Sequence, residues 1–276
     1  MTLATLRQVL QPALKDGYAV GGLVCLGWED MRAYAHAAEA ESLPVILQAG
    51  PSCRKHTPLA ILGNMFRQLA ESVSVPVVAH LDHGYTKDEC REAIDCGFTS
   101  VMFDGSSLLL AENIAATAAI VEMAHAAAVS CEGEIGFVGY ADGENSKGTD
   151  PTEAATFARE TGVDAMAISV GNVHLQQNKE GGLDEDRIRA IEAVTEVPLV
   201  IHGGSGVPVA QRSHLARTTS ICKFNIGTEL RMAFGNALRE TIAADPELFD
   251  RVGILGNVEA PIESAARDVL RAIGPA

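Results

Sequence analysis

The sequence predicts a single α/β domain folded as a closed (β/α)8 TIM barrel with an N-terminal capping helix, and three observations predict it. Short apolar, β-branched runs alternate with stretches of helical period, the pattern of parallel strands joined by crossover helices. The βα unit recurs eight times without a linker or the reversal point of an open doubly wound sheet, which is the weaker alternative. A chain of 276 residues suits one barrel of about 250 residues better than two small domains, so residues 1–276 read as one domain.

In chain order, Leu3 to Lys15 reads as a helix that caps the start. The first strand is Tyr18 to Leu26, followed by a helix over Asp30 to Glu41, whose Met31, Tyr34, Ala35 and Ala38 recur at spacings of three and four and form one apolar stripe. The same alternation gives strand Pro44 to Gln48, helix Thr57 to Glu71, strand Pro76 to Leu81, helix Lys87 to Cys96, strand Ser100 to Phe103 and helix Leu108 to Ala127. Strand Val129 to Glu134 precedes a polar, glycine-rich stretch, Gly136 to Asp150, too long for a tight connection and expected to be a mobile active-site loop. Helix Thr152 to Thr161, strand Ala165 to Val170, helix Asp184 to Val194, strand Pro198 to Ile201, helix Gln211 to Thr218 and strand Ile221 to Ile226 complete the eight units. Helices Thr228 to Ala244 and Ala260 to Ile273 close the chain.

Composition narrows the function classes. The hydrophobic fraction of 47% supports a sizeable core, and with one Trp and 5% aromatics that core is built from Ala, Val, Ile and Leu. A formal charge of -15 repels phosphate backbones and anionic lipid, so nucleic acid and membrane surfaces are poor partners. A phosphorylated small molecule needs local capture. No window approaches the roughly 18 apolar residues of a membrane span, and the first residues lack the apolar stretch of a secretory signal. The expected location is therefore the cytoplasm. The six cysteines, at 25, 53, 90, 96, 131 and 222, form no CxxC pair and read as buried free thiols.

In such a barrel the reactive face lies at the C-terminal ends of the strands. The third strand ends in His80-Leu81-Asp82-His83, the fourth in Asp104-Gly105-Ser106, the fifth in Glu132-Gly133-Glu134 and the sixth in Gly171-Asn172-Val173-His174. The seventh ends in His202-Gly203-Gly204-Ser205-Gly206 and the eighth in Asn225-Ile226-Gly227-Thr228. Singly, a strand-end histidine is more often a hydrogen-bonded structural residue than a ligand. Together, imidazoles from strands three, six and seven supply the neutral nitrogens that a tetrahedral catalytic zinc uses while leaving a position open. Asp104 and Glu134, on the strands between, suit a second metal position or the support of the first. The glycines and hydroxyls after strands seven and eight suit a phosphate held by backbone N–H groups, although glycines there also permit tight turns.

These motifs resemble the class II, metal-dependent ketose-bisphosphate aldolases, which include the fructose-1,6- and tagatose-1,6-bisphosphate enzymes. The resemblance spans nearly the whole chain and rests on HLDH at 80–83, VMFDGS at 101–106, Glu132-Gly133-Glu134 followed by Ile-Gly, GNVH at 171–174, HGGSG at 202–206 and KFNIGTEL at 223–230. It implies a lyase of carbohydrate metabolism that cleaves or forms a C–C bond of a ketose phosphate or bisphosphate through a zinc-stabilised enediolate, with dihydroxyacetone phosphate as one product. It implies His83, His174 and His202 as ligands of Zn2+ or another divalent metal, with Asp104 and Glu134 serving an alternative position. Asp82 is then the acid/base. Gly203, Gly204, Ser205, Gly206, Asn225, Ile226, Gly227 and Thr228 hold the phosphate end of the substrate, helped by a monovalent cation. No Schiff-base lysine is required, so Lys223 has no covalent role. Relatives assemble as homodimers or homotetramers, and the resemblance implies the same here.

Three departures fall on the substrate face. Where the family has an acidic run resembling GGxED, this chain has Gly139-Tyr140-Ala141-Asp142, so a loop glutamate is missing and Asp142 or Glu144 is the replacement to test. Leu175 stands where the family generally has glycine. Gly21-Gly22-Leu23-Val24 and Gly50-Pro51-Ser52 also differ, which points to a changed substrate. A second phosphate needs a cation, for which Arg54, Lys55, Arg251 and Arg267 are candidates. Two other readings stay open. A non-catalytic metal-binding or regulatory aldolase-like subunit accommodates the missing glutamate, and a zinc hydrolase or isomerase accommodates the histidines but lacks an HxH pair on strand one.

Overall fold

A computed structural model describes residues 2–141, 143, 145–178 and 182–275. Eight strands form the barrel: β1 (Val20–Val24), β2 (Val45–Ala49), β3 (Val77–Gly84), β4 (Ser100–Phe103), β5 (Ser130–Ile135), β6 (Ala165–Ile168), β7 (Leu199–Ile201) and β8 (Ile221–Ile226). Each pairs in parallel with the next, and β8 returns to β1 in the register Gly21↔Phe224, which closes the sheet. This is the expected TIM-barrel architecture. The helices are α1 (Leu6–Asp16), α2 (Trp28–Glu41), α3 (Pro51–His56), α4 (Leu59–Ser72), α5 (Lys87–Asp95), α6 (Leu110–Ala126), α7 (Pro151–Thr161), α8 (Glu185–Glu192), α9 (Val209–Thr218), α10 (Thr228–Ala244) and α11 (Arg251–Ile273).

Many element ends lie one to three residues from the sequence expectation, and three differences are more than such shifts. Leu3–Ala4 is a two-residue strand beside β3 rather than the start of the capping helix, because Thr5 closes a capping box with Gln8 and α1 begins after it. The six-residue α3 was hidden by its Gly50-Pro51 start, where Pro takes the first helical position. Helix α11 begins at Arg251, not Ala260, and runs through Gly253 and Gly256, residues that disfavour a helix interior. All six cysteines are free thiols, and only Cys96 is not buried. Among the described residues, no helix is long and apolar enough to cross a membrane.

Two apolar clusters hold the fold. The larger lies between the outer faces of the strands and the surrounding helices. The smaller fills the lower barrel with Val20, Ile46, Val78, Ala165, Ala167, Val200 and Cys222, and α1 seats Leu6, Val9, Leu10 and Ala13 beneath them as a plug. Toward the C-terminal strand ends the interior turns polar, with Gln48, His80, Glu132, His202 and Lys223 all fully buried. A change from aliphatic to ionisable filling along one barrel axis is costly unless those groups are paired, and it marks the end that does chemistry.

Candidate metal centre and active site

The C-terminal end of β3 carries two functional side chains in succession. A regular strand sends neighbours to opposite faces, but here the register with β4 shifts between Leu81 and Gly84, and His83 adopts a left-handed conformation with φ 52°. The chain thereby turns both Asp82 and His83 into one cavity of about 250 Å³ at the strand ends. His83 Nδ1 lies 2.8 Å from Asp104 Oδ2, and its Nε2 lies 3.1 Å from His202 Nδ1. Asp104 is itself held by the backbone N–H and hydroxyl of Ser106.

His174 arrives from the loop after β6. Its backbone N–H donates to Gly139 (2.8 Å) and its carbonyl accepts from Ala141 (3.0 Å), so the loop after β5 is zipped onto it, and the Tyr140 ring stacks on the imidazole at 5.0 Å. In the stretch expected to be a mobile loop, Phe137 and Lys147 also form an antiparallel bridge. His202 ends β7, with its carbonyl accepting from Asn172 of the GNVH motif at 3.0 Å. Its Nε2 meets Glu132 Oε1 at 3.0 Å, Glu132 Oε2 accepts from Lys223 Nζ at 2.7 Å, and Lys223 Nζ lies 3.3 Å from His80 Nε2. That chain leaves His202 Nδ1 facing His83.

Electrostatics sort these groups. Burial, reinforced by a charged His83, pushes His174 down to about 4 and His202 well below the usual imidazole value, so both imidazoles are neutral at neutral pH. Burial also opposes charge on His83, but Asp82, the Asp104 hydrogen bond and Glu134 outweigh it and raise its pKa to about 9. Glu134 is raised to about 8 by burial and by Asp104, and its Oε2 is buried without a hydrogen-bond partner. That orphaned oxygen lies 3.9 Å from His83 Nδ1 and 3.7 Å from His202 Nδ1.

One atom each from His83, His174 and His202 lie within 4.8 Å of one another, as do atoms of His83, Asp104 and Glu134. A donor set of neutral imidazoles beside an unsatisfied buried carboxylate oxygen fits a divalent metal. Because His83 Nδ1 already meets Asp104, the Nε2 atom is the one free to face the other two rings. That contact with Asp104 fixes the orientation of the ring.

The remaining sequence candidates divide. Asp82 lines the cavity, and its Oδ1 accepts from Asn225 Nδ2 at 3.2 Å. Gly203, Ser205, Asn225, Gly227 and Thr228 line it as well. Ser205 Oγ accepts from the N–H groups of Gly227 (3.2 Å) and Glu229 (3.3 Å), tying the turn after β7 to the start of α10. Gly204 and Gly206 are buried in that turn, and the Ile226 side chain packs in the apolar core. Asp142 and Glu144 lie outside the described residues.

Of the cations considered, Arg54 is turned onto backbone carbonyls and Arg267 pairs with Glu41 at 2.6 Å. Arg231, which is not among the sequence candidates, lines the cavity instead. Tyr85, Tyr140, Val24, Leu26 and Leu175 form its apolar walls. The Glu132–Lys223 pair was also missed as a unit, although the two-residue spacing of Glu132 and Glu134 places both on one face of β5 and was the available signal.

Residues 4–276 match the family model described as class-II fructose-bisphosphate aldolase. A fructose-bisphosphate aldolase of Geobacillus stearothermophilus is 36% identical, over 99% of this chain and 98% of its own length. A 6-phospho-5-dehydro-2-deoxy-D-gluconate aldolase of Shouchella clausii is also 36% identical, over 100% of this chain and 96% of its own. The crystal structure of the YdjI aldolase from Escherichia coli K12 superposes with a TM-score of 0.87 at 27% identity, covering 99% of this chain and 98% of that one. The barrel, the strand-end histidines and these similarities agree that the chain belongs to the class-II fructose-bisphosphate aldolase family.

Proposed function

We propose that this protein is a metal-dependent aldolase that reversibly cleaves the C3–C4 bond of a ketose phosphate and releases dihydroxyacetone phosphate. The observation that carries the reading is the convergence of the His83, His174 and His202 ring nitrogens within 4.8 Å, beside Asp82 in a cavity rimmed by Ser205, Gly203 and Gly227. The relatives named above are aldolases of phosphorylated compounds, which supports the substrate class. Zinc is the metal that three imidazoles suit, with Glu134 as the carboxylate of an alternative position. We also read the protein as a cytoplasmic homo-oligomer, on its family resemblance.

A divalent metal bound there supplies Lewis-acid polarisation of the substrate ketone. The protein's own groups handle binding and protons. Asp82, steadied by Asn225, takes the C4 hydroxyl proton as the C3–C4 bond breaks, C4 becomes the aldehyde carbonyl, and the electron pair passes to C3. A proton returned to C3 completes the donor-half product. Tyr140 is the described proton-bearing side chain that the loop after β5 brings to this cavity. Gly203, Ser205, Gly227 and Thr228 hold the phosphate with backbone N–H groups and hydroxyls at the start of α10, where the helix dipole favours an anion.

The test is bound-metal quantification followed by an assay of dihydroxyacetone-phosphate release from a panel of ketose mono- and bisphosphates, before and after EDTA, with His83→Ala as control. Cleavage lost with the metal and with His83 is expected. Tightly bound metal without cleavage of any substrate would sink the catalytic reading and favour a non-catalytic aldolase-like subunit.

A further inference from the structure

We infer that Arg54 is a positioning residue for the metal site, clamping the distorted end of β3 so that Asp82 and His83 both face the cavity. Its guanidinium projects from α3 and is almost wholly buried. Nη1 donates to the carbonyls of Ala49 (3.1 Å) and Asp82 (2.7 Å), and Nη2 donates to the carbonyl of His83 (3.0 Å). Glu89, on α5, stands 3.5 Å from Nη2 and accepts the Tyr85 N–H with its other oxygen at 2.8 Å. One planar fork therefore joins the end of β2 to the two residues on which the site depends.

The need for such a clamp follows from the backbone. A left-handed backbone is unfavourable for a non-glycine residue, and persists only where its surroundings over-determine it. His83 is in that conformation inside a register shift, which takes the Asp82 and His83 carbonyls out of the regular ladder with β4. Arg54 supplies the donors that the interrupted ladder does not. A lysine carries the charge but presents a point donor in place of a fork, so it cannot serve three carbonyls in one plane. This role rests on the reading of His83 as a metal ligand, and the experiment separates the two.

Metal-stripped full-length protein is titrated with Co2+ alone, following the visible ligand-field bands, for wild type, Arg54→Lys and Arg54→Ala, each with and without added guanidinium ion. Arg54→Ala is expected to bind Co2+ roughly 10- to 100-fold more weakly, with altered bands. Guanidinium is expected to restore binding in Arg54→Ala and to leave wild type unchanged, while Arg54→Lys stays impaired. Wild-type affinity and bands in Arg54→Ala would overturn the inference, as would a weakening that guanidinium does not repair. If Arg54→Ala does not fold, Arg54→Lys decides, and wild-type Co2+ binding by it overturns the inference. Failure of the wild type itself to bind Co2+ would instead remove the metal reading, and this role with it.

Discussion

His202 and Glu132 are joined by a 3.0 Å contact between imidazole Nε2 and carboxylate Oε1, and neither side chain has any exposure to solvent. Since the second carboxylate oxygen is occupied by Lys223, Glu132 has no freedom to release the ring, and the proton on Nε2 fixes Nδ1 as the free lone pair. Glu132→Gln removes the counter-charge of a fully buried lysine. Breaking a buried pair from one side costs about 3–5 kcal/mol, so thermal denaturation of the metal-free protein should show a large loss. Metal affinity should fall roughly 10- to 100-fold. Glu132→Gln combined with Lys223→Met should regain stability without regaining affinity, and competition titration against a chelator distinguishes the two effects. Unchanged affinity in the single variant would refute the orienting role.

Metal binding should depend on pH through His83. Its pKa in the metal-free protein is raised from 6.5 to about 9, whereas that of His174 is lowered to about 4. At neutral pH a metal displaces a proton from His83 but none from His174. Apparent affinity should therefore rise about tenfold per pH unit between pH 7 and 9 and then level off. Calorimetric titration in buffers of different ionisation enthalpy measures the released proton directly, and a flat affinity over that range would contradict the assignment.

The same shifts set the stability of the metal-free protein. A folded-state pKa above the unfolded value means that His83 contributes fully below about pH 6.5, and this is lost as pH rises through 9. Glu134, raised from 4.5 to about 8, acts in the same direction as pH rises through 8. His174 acts oppositely, since its contribution is present above its unfolded value and lost as pH falls through 4. Denaturant titrations in EDTA should show stability declining from pH 6.5 to 9, and a rise would show the sign to be wrong.

Asp82→Asn keeps the size of the side chain and a carbonyl oxygen for Asn225, and removes the proton acceptor. Metal content should stay at the wild-type level while kcat falls by about 10²–10⁴-fold. Steady-state kinetics beside metal analysis checks both halves. Retention of kcat would move the proton-transfer role to another group.

Gly203 holds φ 66°, and a Cβ there would overlap the backbone carbonyl of Val173. Gly203→Ala meets both a left-handed backbone and a clash with an atom that cannot swing aside, so it should cost on the order of 1–3 kcal/mol or more. The loss should appear in thermal unfolding, together with weaker metal binding because His202 is adjacent. A melting temperature within error of wild type would show that the turn relaxes freely.

The barrel was legible because eight apolar runs carry their own period, and because strand ends in this architecture select which polar residues matter. Asp82, His83, His174 and His202 all stand at such ends, and the structure gathers them. What the sequence concealed is the exception to its own rule. Alternation along β3 puts His83 on the face opposite Asp82, and only a left-handed residue brings them together. Arg54 illustrates the same limit, since its charge marked it as a phosphate ligand while its geometry commits it to three carbonyls. Helix α3, which carries it, was obscured by proline and glycine at its start.

The plug of Leu6, Val9, Leu10 and Ala13 beneath the barrel makes the site a well with one mouth. Nothing can pass through it from end to end, so reactant and product share a doorway whose jambs are Tyr85 and Tyr140. Tyr85 stacks beside His83 and Tyr140 on His174, so a molecule lodged against the two phenols would block arrival and departure alike.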